Sequence, residues 1–365
     1  MKTCKKCILY DGIKGIVIGA DGLCNYCHWD KEMNKDYPID AVSFDRLIDT
    51  IKNKGKGHLY DVVIGLSGGC DSSYLLKMMV ESGVRCLGIH FDNNWNTDIA
   101  KENMDVLTNC FGVDLHIRHV GKEMYDGLCK SFLLASTPDA DIPNDIALAV
   151  VAYQEAEVND IPTILDGHSF RTEGTCPVGW TYMDGKYIDS VNKRFLNIDI
   201  STYPNMLLRD WLRWISIPRL RPLYYIDYNK EKAKNELSEI GWNDYGGHHR
   251  ENRYTMFVGS YLWKNKFHQD LRYVALSAQI RNKHITRVKA LEVLKEPVFC
   301  PMELLFEVRK RLNFTCDAFE CMMKSPVKTH EDYDTYDFSK LGQIFDEYRD
   351  VLPKTFIDKY VDKKV

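Results

Sequence analysis

The chain has 365 residues, 45% of them hydrophobic and 27% charged, with 48 Lys+Arg against 52 Asp+Glu for a net charge of −4. That length and mix exclude whole-chain disorder and a small stapled scaffold, and they suggest two domains or three. The charge balance makes nucleic acid an unfavoured partner, and no apolar run reaches the roughly 18 residues a membrane span requires.

The first residues lack the apolar stretch of a secretory signal, so the expected location is cytoplasmic. In that setting the 12 cysteines read as metal ligands or small buried residues rather than disulfides. Cys4, Cys7, Cys24 and Cys27 form two CxxC pairs with 16 residues between them, the spacing of a four-cysteine zinc site. Each pair is expected to set two thiolates at a tight turn, and two turns complete a tetrahedron with no position left open. Residues 1–30 are therefore predicted to be a knuckle holding structural rather than catalytic Zn2+. His28 abuts this set as an alternative ligand or a plain surface histidine. In 31–57, Phe44, Leu47, Ile48 and Ile51 have the spacing of one helix face, and Lys52 to Gly57 reads as a solvated linker.

From Tyr60 strand and helix patterns alternate. Asp61–Leu66 reads as a strand ending in a glycine-rich turn, followed by a helix over Ser73–Ser82 that stops at Gly83. Arg85–Phe91 is a second strand, Thr97 an N-cap for a helix to about Cys110, and Val113–Val120 a third strand. A helix over Ile146–Val158 and a strand over Pro162–Asp166 follow. The alternation predicts an α/β fold, a doubly wound parallel sheet within 58–200, with ligands at the carboxyl ends of its strands. Beyond residue 200 the periodicity is helical, clearest over Lys230–Ile240 and Arg287–Leu294, so 201–365 is expected to be a mainly helical acceptor or partner domain.

The most informative motif is Ser67-Gly68-Gly69-Cys70-Asp71-Ser72-Ser73, between the first strand and its helix. Glycines let the backbone approach a phosphate, and the helix start offers free N–H groups at its positive end. Ser67, Ser72 and Ser73 can donate hydroxyls, and Asp71 can hold Mg2+ against the phosphates. The motif is neither a Walker loop nor a GxGxxG fingerprint. It resembles the PP-loop of the adenine-nucleotide alpha-hydrolase superfamily, which has a HUP-like fold. That resemblance implies ATP cleaved between its alpha and beta phosphates, with AMP transferred to a carbonyl or amide oxygen and then displaced. By the same resemblance His90-Phe91-Asp92 cradles adenine with backbone atoms. Asp166-Gly167-His168 looks like the Gly-His element that reaches the phosphates, which makes His168 a catalytic candidate beside Asp71.

Farther on, Gly241 to Asn252, Tyr254 to Phe257, Asp270 to Ser277 and Ile285 to Leu291 form an ordered series. It resembles the C-terminal signature of the N-acetyl sugar amidotransferases of bacterial surface-polysaccharide synthesis, lipopolysaccharide included. Those proteins also begin with a paired-CxxC knuckle ahead of an SGGxDS loop. The resemblance implies a sugar or sugar-nucleotide acceptor whose N-acetyl group becomes an acetamidino group. It also implies ammonia from a separate glutaminase subunit, and Lys2 indeed stands where an N-terminal-nucleophile glutaminase needs cysteine. The chain departs from the family at Cys70, where lysine is common, at Gly167-His168-Ser169 and at His248.

Arg171, Glu173, His249, Glu251 and Arg272 are candidates for orienting the acceptor or a phosphate. For the last three, an interhelical hydrogen-bond network is an equal alternative. Trp180 and Tyr182 are either stacking platforms or core. A sulfur transferase using Cys129, Cys176 and Cys300 for persulfide or an iron–sulfur cluster is one competing function. A non-catalytic nucleotide-binding assembly protein is another.

Overall fold

Five short strands form the centre of the molecule: β1 (Val62–Gly65), β2 (Cys86–Asp92), β3 (Asp114–His119), β4 (Ile164–Leu165) and β5 (Arg219–Leu220). The computed structural model describes residues 1–247 and 250–357, so the expectations for His248 and His249 lie outside the described residues. The strands pair in parallel in the order β3-β2-β1-β4-β5. Val63 stands opposite Leu87 on one side and Ile164 on the other. β1 reads as an unbroken apolar run because both its faces are covered. Val63 and Ile164 enter one core, with helices α5 (Lys122–Ala135) and α6 (Ile142–Val158). Val62, Ile64 and Leu165 enter the opposite core, with α2 (Ala41–Lys54), α3 (Cys70–Glu81) and α4 (Asp98–Phe111). The predicted doubly wound parallel sheet is thus present. Its order reverses between β1 and β4, and the crevice beyond their carboxyl ends lies between Ser67 and Asp166.

The N-terminal segment differs from expectation in one respect. Cys4 and Cys7 sit in a turn closed by the Thr3–Tyr10 bridge, and a second bridge, Ile18–Cys24, closes the turn that leads into Cys24. The second pair, however, opens a helix: Cys24 is the N-cap of α1 (Asn25–Asp36) and Cys27 lies in its first turn. The predicted linker begins later too, because α2 runs through Lys54 before Gly55 closes it. A second surprise is β5, which the sheet takes from a segment that reads as helical.

The C-terminal half is mainly helical. α7 (Gly185–Phe195), α8 (Leu208–Trp214) and α9 (Lys230–Ser238) lead to α10 (Arg253–Phe257). α10 continues through a π-turn at Val258–Leu262 into α11 (Trp263–Lys266), and α12 (Leu271–Arg281), α13 (Arg287–Lys295), α14 (Met302–Arg311) and α15 (Cys316–Lys324) follow. The knuckle rests on this half: Ile8 packs with Leu276 and Ala290, and Tyr273 borders the cysteine cluster. Among the described residues, no helix is long and apolar enough to cross a membrane.

Candidate active site

The SGGxDS loop has a backbone that only glycine accommodates. Gly68 has φ +73°, and a Cβ there would lie 2.1 Å from the Ala100 carbonyl oxygen in α4. Its own carbonyl accepts from Trp242 Nε1 at 3.0 Å and Asn103 Nδ2 at 3.1 Å. Gly69 caps α3, its N–H donating to Ser67 Oγ at 3.2 Å, and Ser73 N is the first N–H to bond within the helix. Ser67 N in turn donates to Ser72 Oγ at 3.3 Å. Ser67 and Ser72 remain partly exposed on the loop, whereas Ser73 is fully buried and its Oγ has no hydrogen-bond partner. A direct phosphate contact from the Ser73 side chain is therefore corrected to a place beneath the loop. Gly167 is the other glycine this site requires, because a Cβ on it would lie 3.0 Å from Ser72 N. That close approach sets the end of β4 against the start of α3.

Charge converges on Asp71. Its carboxylate accepts from Tyr228 OH and from Lys230 Nζ at 2.7 Å, and Lys230 reaches on to Glu173 at 3.1 Å. Asn229 fixes this geometry by capping α9, so that Lys230 is the helix's first residue. Burial, and then the charge of Glu173, push the Asp71 carboxyl up to about 7 against the pull of Lys230 and Tyr228. Burial would lower the Lys230 ammonium, but Glu173 and Asp71 outweigh it and hold it above its ordinary range. Lys230, Tyr228 and Tyr245, whose hydroxyl accepts from Cys70 N at 3.1 Å, carry no sequence signal that singles them out for this loop. Cys70 itself is a packed thiol pushed up to about 11 by burial, then by Asp71.

His168 stands beside this cluster with both ring nitrogens engaged. Nε2 is 2.9 Å from the Gly174 carbonyl and Nδ1 is 2.8 Å from Tyr224 OH, an arrangement that requires the proton on Nε2. Burial lowers its pKa, so the ring is neutral. As placed, it orients the segment leading to Glu173, and both ring nitrogens are engaged there rather than turned to the phosphates that the resemblance has this element reach. His90 is likewise structural through its ring: Nδ1 meets the Leu66 carbonyl at 2.7 Å and Nε2 accepts from Asn96 at 2.9 Å. Phe91 is buried against Tyr125, and Asp92 accepts from Asn94 N at 2.9 Å. Only the backbone of these three residues is left for an adenine.

Two predicted substrate residues are elsewhere. Arg171 is 1% exposed, bonding Asn34 Oδ1 at 3.0 Å and the carbonyls of Tyr37 and Tyr224, so it fastens α1 to the sheet instead of facing the cleft. Arg272 pairs with Asp270 at 2.8 Å and bonds the Glu296 carbonyl at 2.7 Å, which is the interhelical network. Trp180 is buried with its Nε1 on the Lys14 carbonyl, and Tyr182 stacks on His330 with centroids 4.0 Å apart. Neither residue is a free platform. Glu251, by contrast, reaches the loop. Its carbonyl accepts from Thr97 N at 2.9 Å, Arg253 N bonds the Trp95 carbonyl at 2.9 Å, and Glu251 Oε1 would lie 3.2 Å from a Cβ on Gly69.

The four N-terminal thiols all lie within 4.8 Å of one another and are buried. Cys4–Cys27 and Cys7–Cys24 are each 3.6 Å apart, close to the edge of about 3.8 Å that a tetrahedron with Zn–S bonds of about 2.3 Å has. The donor set therefore fits one metal ion. Among the described residues no other group of three or more His, Cys, Asp and Glu ligand atoms converges in this way, so Cys129, Cys176 and Cys300 form no cluster site.

Comparison with known proteins places these parts. Residues 251–346 match the family described as LPS biosynthesis protein WbpG-like, C-terminal domain. A stretch of 127 residues is 28% identical to the tRNA-specific 2-thiouridylase MnmA of Idiomarina loihiensis, covering 31% of this chain and 34% of that protein. The Chromohalobacter salexigens MnmA is 29% identical over 124 residues, 30% of this chain and 32% of that one. The chain thus spans about a third of the length of these curated relatives. Among solved structures, it is similar to NMN synthetase from Francisella tularensis, with TM-score 0.35, 10% identity and coverage of 82% of this chain and 98% of that one. The chain therefore joins a parallel sheet that carries the SGGxDS loop to a region, residues 251–346, that matches the WbpG-like C-terminal domain model.

Proposed function

We propose that the protein is an ATP-dependent, AMP-forming amidotransferase that turns the N-acetyl group of a sugar or sugar nucleotide into an acetamidino group, for surface-polysaccharide biosynthesis in the cytoplasm. A separate glutaminase subunit would supply the ammonia. The observation that carries this reading is Glu251. It is the first residue of the WbpG-like region, and its carboxylate oxygen stands over the SGGxDS loop, 3.2 Å from where a Cβ on Gly69 would lie.

The loop N–H groups and the positive end of α3 would hold the phosphates of ATP. Lys230 supplies fixed positive charge beside them, and Asp71 and Glu173 are the residues that would hold Mg2+. When bound, that cation neutralises charge on the departing pyrophosphate. The acceptor's amide oxygen attacks the alpha phosphorus and pyrophosphate leaves. Ammonia then adds to the imidate carbon, and AMP departs carrying the former amide oxygen. Of the cysteines that the sulfur-transfer alternative would use, Cys129 is fully buried in the core, its thiol pushed well up by burial.

The test supplies ATP, ammonium and a UDP-N-acetylhexosamine labelled with oxygen-18 in its amide. The expected products are an acetamidino sugar, pyrophosphate and AMP that carries the label. ADP and phosphate, or unlabelled AMP beside a confirmed product, would overturn adenylation.

The cysteine cluster gives an independent prediction. Purified protein should hold one zinc per chain, and Cys24→Ser should lose it and loosen the knuckle from α12. Full zinc content in that variant would rule out the four-thiolate site.

A further inference from the structure

The N–H groups at the start of α3 are the strongest anion donors in the site, yet one of them is already taken. Cys70 N, the first N–H of the helix, donates to the Tyr245 hydroxyl at 3.1 Å. That oxygen would also lie 3.2 Å from a Cβ on Gly69, so it sits directly over the loop's second glycine. It therefore stands where a phosphate oxygen would have to stand in order to use this donor. Burial raises the Tyr245 pKa, with the charge of Glu251 adding to the effect, so the phenol is neutral.

We propose that the Tyr245 hydroxyl is an exchangeable surrogate for a phosphate oxygen: a polyphosphate displaces it from Cys70 N–H, and a neutral or weakly anionic ligand does not. This rests on the reading of the loop as a phosphate site. A neutral phenol makes a weaker bond to a helix N-terminus than an ionised phosphate, because charge-assisted hydrogen bonds are roughly twice as strong and the helix dipole favours the anion. The mounting of Tyr245 suits exchange. Upstream the segment is anchored, with Trp242 Nε1 on the Gly68 carbonyl and Asn243 N on Asn103 Oδ1 at 2.8 Å. Downstream come Gly246 and Gly247 with φ +83° and +157°, and Gly246 N is held by Asp244 Oδ1 at 3.0 Å. The ring can thus swing on its own χ angles while Trp242, which packs edge-on against it at 5.8 Å, keeps the loop in place. The consequence is selectivity: the phenol shields the donor from small anions and yields it to pyrophosphate or a triphosphate.

Tyr245→Phe removes the competing oxygen and keeps the ring. Calorimetry with pyrophosphate should show binding tighter by about fivefold, the worth of one neutral hydrogen bond, with melting temperature unchanged. Inorganic phosphate should gain more than pyrophosphate, because it no longer meets a cap it cannot displace. In protein labelled with 15N-cysteine, the Cys70 amide resonance should shift in Tyr245→Phe and converge on the wild-type position when both are saturated with pyrophosphate. Weaker or unchanged pyrophosphate binding, or a Cys70 resonance that the substitution leaves in place, would overturn the exchange. Binding of pyrophosphate to neither protein would sink the phosphate-loop reading, and the exchange with it.

Discussion

Asp71→Asn is expected to slow turnover by about three orders of magnitude while the protein stays folded. Losing a metal contact at developing charge costs several kcal/mol of transition-state stabilisation, and each 1.4 kcal/mol or so is a factor of ten. The fold survives because the amide oxygen can still accept from Tyr228, and Lys230 keeps its second partner, Glu173, at 3.1 Å. Nucleotide binding should weaken less than turnover, since the backbone donors of the loop are untouched. The companion variant Lys230→Met separates two roles of the cluster. It leaves Asp71 and Glu173 facing each other without their shared cation, so Mg2+ affinity should rise while nucleotide affinity falls. A double-mutant cycle should show strong non-additivity, because the two residues are in direct contact. Single-turnover rates, Mg2+ titration and calorimetry give the three readouts. Near-normal turnover in Asp71→Asn would remove Asp71 from the chemistry.

The strands and the loop could be read because their signals are local. Val62-Val63-Ile64 is apolar without a break and ends in glycines, and Thr97 caps α4 through the Ala100 N–H as its sequence suggests. The charge cluster could not be read in that way. Tyr228 is 157 residues from Asp71, and Lys230 is 57 from Glu173, so only the approach of α9 to α3 defines the cluster. Arg171 misleads for the opposite reason. Its position just past His168 suggests the cleft, but its direction is set by the Tyr37 carbonyl and by Asn34 on α1. α1 itself, NYCHWDKEMNKD, has no apolar stripe that would predict it. It is held instead by two cysteines at its start and by the pair of Asp30 with Arg281, both buried, 3.3 Å apart. Such a helix depends on partners far along the chain, and periodicity carries no record of them.

Gly68→Ala should be the most damaging single-methyl change in the site. Two penalties add. An L-residue at φ +73° costs about 1–2 kcal/mol against glycine. The new Cβ would also sit 2.1 Å from the Ala100 oxygen and 2.8 Å from its carbonyl carbon. Those atoms are backbone within α4, and no flexible side chain is there to move aside, so the loop must shift instead. A shift of that size pulls the Gly68 carbonyl away from both Trp242 and Asn103, which anchor the following segment and α4 to the loop. The expected loss is about 2–4 kcal/mol of stability together with at least about a hundredfold loss of nucleotide affinity. Gly65→Ala is the matched control, since a Cβ at that position meets nothing within 4 Å and the backbone is not left-handed. It should change stability by no more than about 0.5 kcal/mol. Urea denaturation and calorimetry with a non-hydrolysable ATP analogue compare the two variants. If Gly68→Ala unfolds at the wild-type midpoint and binds normally, the close approach of this loop to α4 does not build the nucleotide site.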